Sequence, residues 1–149
     1  MSFGDYSREQ LRQQYVDAWR RHCERVPLTP LESLIADVIA LHPEYQPLLA
    51  DAESAARFEA GGTPGAGGAA QRENPFLHMG LHIAVREQLA IDRPPGISAL
   101  RQALARSADA HTVEHILVEA LAQTLLEAQQ QGRPPDEQRY LALIRRQLD

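Results

Sequence analysis

Residues 109–132 read DAHTVEHILVEALAQTLLEAQQQG, the longest helical pattern in the chain. Asp109 and Ser107 are candidate N-caps, because a side-chain oxygen there can accept a hydrogen bond from a free backbone N–H group in the first helical turn. Gly132 stands just after the pattern, where many helices end in a left-handed backbone that glycine tolerates best. The segment therefore predicts a helix over 110–131.

Helical patterns continue on both sides of this segment, and no strand pattern interrupts them. Ser7 and Thr29 each begin a capping box, in which a hydroxyl residue is followed three residues later by Glu or Gln. Asn74 places a good N-cap directly before a proline. The further predicted helices cover about 7–26, 29–41, 43–58, 74–91, 97–106 and 134–147. The predicted fold class is all-α, a helical bundle of five to seven helices.

The composition of the chain changes at GGTPGAGGAA, residues 61–70. Glycine and proline leave no apolar face there, so we predict a flexible loop at 61–72. The loop separates N-terminal helices in 5–60 from C-terminal helices in 73–149. Because neither half is large enough to build a core of its own with ease, we expect one domain over 1–149.

The charge balance and the residue types exclude several classes of function. The chain of 149 residues has 15 basic and 20 acidic residues, a formal charge of -5. That balance argues against a protein that binds nucleic acid through a broad basic surface. All the basic residues are Arg, which excludes chemistry that depends on a lysine. The single cysteine, Cys23, excludes a disulfide framework and a zinc site rich in thiolates.

No targeting or membrane segment is apparent in the sequence. The chain begins MSFGDYSREQ, which lacks the basic and apolar regions of a signal peptide. The most apolar stretch, residues 34–41, is far shorter than the ~20 residues that span a bilayer. We therefore expect a cytoplasmic protein with neither a membrane nor nucleic acid as partner.

Four of the 6 histidines form two pairs with the same spacing. His78 and His82 lie four residues apart on one predicted helix, and His111 and His115 lie four apart on another. Residues at this spacing are neighbours on a helix, so two imidazoles can bind one ion. Each pair also begins the apolar stripe of its helix. We therefore expect all of these rings to face inward, at one end of the bundle.

The sequence thus offers a candidate site for a divalent transition metal. Glu114 and Glu119 are the nearest carboxylates, as additional ligands or as a base acting on bound water. Asp37 and Glu44 are carboxylates that could join from the first half. A mixed set of imidazoles and carboxylates suits Zn, Mn or Fe better than Ca or Mg. The candidate ligands are His78, His82, His111, His115, Glu114 and Glu119.

One residue opposes the metal hypothesis. Arg86 lies four residues beyond His82, and a cation in the same stripe would repel a metal ion.

The segment HTVEH, residues 111–115, also matches the H-x-x-E-H pattern of inverzincin proteases. The match is weak, because few residues follow it to supply a third ligand and no strand is predicted that would align a peptide. It leaves open whether the chain is an enzyme.

A non-catalytic alternative requires no ion. Histidines often form hydrogen bonds inside a structural polar core. The chain would then be an interaction module that self-associates or binds an unidentified protein partner through an exposed apolar face of 117–128.

Two phrases of the sequence are similar to one known family. They are NPFLH at 74–78 and DRPPGI at 92–97, with His82, His111 and His115 in the same order and spacing. Together they resemble the bacterial family catalogued as domain of unknown function 1841, over nearly the whole chain. The resemblance implies a small bacterial protein with a single domain, and it supplies no catalytic residue.

Overall fold

The computed structural model describes residues 8–50 and 75–148. Within these ranges the chain forms seven helices and no strand, which confirms the all-α class. Ser7, Asn74 and the predicted loop at 61–72 lie outside the described residues. The helices are α1 (Arg8–Cys23), α2 (Pro30–Ala40), a 3₁₀ helix (Pro43–Leu49), α3 (Pro75–Ile91), α4 (Ile97–Leu104), α5 (Ala110–Gln131) and α6 (Glu137–Arg146).

The chain divides into two compact units, Met1–Gly80 and Leu81–Asp149. The division falls inside α3, which is one continuous helix from Pro75 to Ile91. His78 therefore belongs to the first unit and His82 to the second, although both lie on the same helix. The domain boundaries expected from the sequence stay predictions.

The first unit packs the apolar faces of α1 and α2 against each other. The capping box of α2 forms as predicted: Thr29 Oγ1 accepts a hydrogen bond from the Glu32 backbone, and Glu32 Oε1 accepts one from the Thr29 backbone. α1 ends three residues before the predicted end at Val26, because Arg25 adopts a left-handed backbone with φ of 58°. The buried residues of the two helices are Tyr15, Val16, Ala18, Ile35, Ala36, Val38 and Ile39.

A proline-rich stretch after α2 forms a 3₁₀ helix. Pro43 begins it and Pro47 lies inside it. Proline has no backbone N–H, so Pro47 could not donate the bond that an α-helix would require there. Tyr45 instead donates to the His42 carbonyl, three residues back, at 2.9 Å. The 3₁₀ helix buries Leu49 and fixes the position of His42 at its N-terminus.

The second unit has its own apolar core around α5. Asp109 caps this helix, with its Oδ1 accepting from the Thr112 backbone at 2.7 Å, and Gly132 ends it with φ of 62°. Both ends therefore form as the sequence predicts. α4 and α6 pack against the same helix. The core residues are Val85, Ile97, Leu104, Val113, Leu117, Val118, Ala120, Leu121, Tyr140, Leu141 and Ile144.

In the part of the chain that the structure describes, every helix is too short or too polar to cross a lipid bilayer.

Two leucines on α5 provide a matched test of the core in the second unit. Leu117 is 0% exposed and Leu126 is 48% exposed. We expect Leu117→Ala to lower the free energy of unfolding by about 2–5 kcal/mol, because it leaves a cavity. Leu126→Ala should lower it by roughly 0.5 kcal/mol or less, as is usual for surface changes. Urea titration of both variants measures the difference, and equal losses would contradict the assignment of this core.

Candidate metal centre

Helix α3 places two histidines on one face. His78 and His82 lie one helical turn apart, and they share this face with the buried Val85. His82 is 0% exposed, whereas His78 is half-buried. An imidazole buried to this extent needs a hydrogen-bond partner to offset the loss of water.

Glu114, on α5, is the partner of His82. His82 Nδ1 lies 2.7 Å from Glu114 Oε2. Burial by itself raises the pKa of Glu114, but hydrogen bonds from His82 and Arg86 outweigh it and lower the pKa to about 2. The carboxylate is therefore ionised near neutral pH and only accepts hydrogen bonds. His82 Nδ1 must carry the proton, which in the neutral ring leaves a lone pair on Nε2.

The same carboxylate compensates the charge of Arg86. Arg86 Nε donates to Glu114 Oε1 at 2.9 Å, and Nη2 donates to Oε2 at 3.2 Å. This two-pronged contact is the geometry in which a guanidinium binds a carboxylate most strongly. The cation that opposed the metal hypothesis is therefore neutralised by an ion pair beside His82.

His42, which is not among the candidate ligands predicted from the sequence, is a buried residue with 4% exposure. Its Nδ1 lies 2.7 Å from the Val38 carbonyl. A carbonyl only accepts, so Nδ1 carries the proton and Nε2 has the lone pair. The His42 ring also stacks on Tyr45, with centroids 5.2 Å apart, and meets the edge of His78 at 5.0 Å.

A signal for His42 was present in the sequence. The residue lies four positions after Val38 and seven after Ile35, so it continues the buried stripe of α2.

His115 on α5 contacts two other histidines. Its ring centroid lies 5.0 Å from that of His82 and 4.3 Å from that of His111, with the rings close to perpendicular in both contacts. His115 is half-buried, whereas His111 is exposed. His111 therefore lies on the solvent side of His115, and the expectation that its ring faces inward is wrong.

The contacts form two ring pairs, His42 with His78 in the first unit and His82 with His115 in the second, and we call these four residues the four-histidine group. The ring centroids are 5.0 Å apart in each pair. His78 and His82, one from each pair, lie one turn apart on the continuous helix α3.

The structure sorts the six candidate ligands into different positions. His78, His82 and His115 belong to the four-histidine group, together with His42, which was not a candidate. His111 and Glu114 each contact one member of it. Glu119 is exposed, as are Asp37 and Glu44. As ligands of an ion, all six residues stay predictions.

Comparison with known proteins identifies one family. Residues 7–146 match the family described as "Domain of unknown function (DUF1841)". No curated protein and no solved structure matches the chain. Because the match covers nearly the whole sequence, the chain belongs to the DUF1841 family.

Proposed function

We propose that this protein binds one divalent transition-metal ion through His42, His78, His82 and His115. The observation that carries the proposal is that two close histidine pairs, each with ring centroids 5.0 Å apart, are linked by one turn of α3 between His78 and His82. Imidazole is the commonest metal-binding side chain of proteins, and four of them complete a tetrahedral site.

The hydrogen bonds of two members support this proposal. Metal-binding histidines usually donate their other ring N–H to a carboxylate or a backbone carbonyl, which fixes the ring and its tautomer. His82 donates to Glu114, and His42 donates to the Val38 carbonyl. In both rings these bonds therefore select the tautomer whose lone pair is on the other nitrogen, Nε2.

The ligand set favours particular metals. Imidazoles suit zinc, iron, nickel and copper, whereas magnesium, calcium and manganese prefer oxygen ligands. The exposed carboxylates Glu119, Asp37 and Glu44 are not members of the group, so the set consists of nitrogens alone. We therefore propose zinc or ferrous iron ahead of manganese. Four protein ligands complete the tetrahedral shell, as in structural sites, whereas catalytic zinc keeps an open position.

The protease hypothesis loses support from the contacts of HTVEH. In an inverzincin both histidines of the motif bind the metal while the glutamate acts as the base. Here Glu114 accepts hydrogen bonds from His82 and Arg86, and His111 lies outside the four-histidine group. The ionised Glu114 carboxylate already accepts hydrogen bonds from two side chains, so it is poorly placed to activate a water.

Metal analysis tests the proposal directly. We expect the full chain, purified without a histidine tag or chelator, to contain about one equivalent of zinc or iron, as a single four-ligand site requires. His78→Ala should lose most of this metal on dialysis, because one of the four bonds is removed. Elemental analysis by mass spectrometry measures the content.

His22 provides the matched control, since it is an exposed histidine on α1 outside the group. His22→Ala should retain the metal content of the wild type. A metal-free wild type that binds no added Zn²⁺ and gains no thermal stability from it would overturn the proposal. The four rings would then form the structural polar core of the non-catalytic alternative.

Glu114 should act on the site through His82. We expect Glu114→Gln to weaken Zn²⁺ affinity about 10–100-fold, the usual effect of removing a carboxylate that orients a metal-binding histidine. Glu119→Gln, an exposed change on the same helix, should leave the affinity unchanged. Competition with a chromophoric chelator measures both values, and circular dichroism checks that the helices persist. Equal affinities in the two variants would show that Glu114 does not position His82.

A further inference from the structure

His111 is the one histidine that is exposed and also contacts the four-histidine group. Among the residues that the structure describes, His22 is the other exposed histidine, and its ring stacks on Trp19 instead. The ring of His111 meets that of His115 with centroids 4.3 Å apart. The pair therefore has one ring in solvent and one ring in the group.

The spacing of this pair is suited to an ion. His111 and His115 lie one turn apart on α5, at the separation at which two imidazoles on a helix can bind the same metal. His111 is in the first turn of the helix, where it has room to change rotamer because it is exposed. Two nitrogens leave the rest of the coordination shell to water, so such a position binds weakly.

The buried members of the group raise the question of access. His82 and His42 are 0% and 4% exposed, so a hydrated ion cannot reach them without losing its water shell. A metal position at the protein surface that replaces some of these waters would divide the loss of the water shell into two steps. His115 is suited to both steps, because it belongs to the group and also contacts His111.

Building on the proposed function, we propose that His111 and His115 form an external metal position through which an ion reaches and leaves the four-histidine group. The ion first exchanges two waters for the two rings of the pair. It then keeps His115 as a ligand while His42, His78 and His82 replace His111 and the remaining waters. The charge and the oxidation state of the ion do not change.

Rapid mixing of the metal-free full chain with Co²⁺ tests this proposal, since the visible absorption of Co²⁺ reports tetrahedral nitrogen ligands. We expect His111→Ala to slow both Co²⁺ uptake and chelator-driven release severalfold and by the same factor. The equilibrium affinity should stay unchanged, because the pathway is altered and the final ligands are not. His22→Ala is the control and should keep the wild-type rates.

Two outcomes would overturn the external position. Unchanged rates in His111→Ala would mean that the ion does not pass this ring. A weaker equilibrium affinity with faster release would make His111 a ligand of the final site instead.

A further pair of variants separates this proposal from the four-histidine site. His78→Ala removes a ligand of the group and keeps the external pair, so it should still bind one Co²⁺ weakly. His78→Ala with His111→Ala should lose this weak binding. If His78→Ala and the double variant bind Co²⁺ equally, the proposal of an external metal position is wrong, whatever the affinity of the wild type. If the wild type binds Co²⁺ no more tightly than His78→Ala does, the proposed function fails instead.

Discussion

The hydrogen bond between His82 and Glu114 is the interaction on which the candidate site depends. A fully buried imidazole and a largely buried carboxylate each lose hydration on folding, and each compensates the other at 2.7 Å. Arg86 adds two further hydrogen bonds to the same carboxylate. The triad therefore joins α3 to α5 by a polar contact at the margin of an apolar core, with each charge matched by its opposite. It also decides which nitrogen of His82 is protonated.

His42 reaches the same chemical state by a different route. Its Nδ1–H donates to the carbonyl of Val38, one turn earlier, in the last turn of α2. Carbonyls at the end of a helix have incomplete intrahelical bonding and lie at the negative end of the helix dipole, so they accept readily. The 3₁₀ helix that follows stacks Tyr45 on the His42 ring. A carboxylate and a backbone carbonyl thus leave the same atom, Nε2, with its lone pair.

The sequence predicted the parts of this arrangement that depend on local signals. Asp109 and Gly132 define the ends of α5 because caps are read from single residues, and His82 and His115 fall on inward faces because helical spacing determines direction. The helical spacing of α2 places His42 on the buried stripe, but it does not predict the approach to His78, which depends on tertiary packing. Glu114 was assigned as a ligand or a base because its distance from His115 along the chain is short. The structure instead directs its side chain to α3, where its partners are 32 and 28 residues away.

The composition of the group also limits what a bound ion can do. If the proposed ion is bound by all four imidazoles, its tetrahedral shell would be complete, so reaction at the metal would require one ligand to leave. His42 and His82 are the least able to move, because both are buried and both donate a hydrogen bond through Nδ1. His115 is half-buried and has a second histidine beside it. If a ligand exchanges, the physical constraints on the four rings select His115. The partial exposure of His115, which would allow an ion to enter, would therefore also allow the ion to leave.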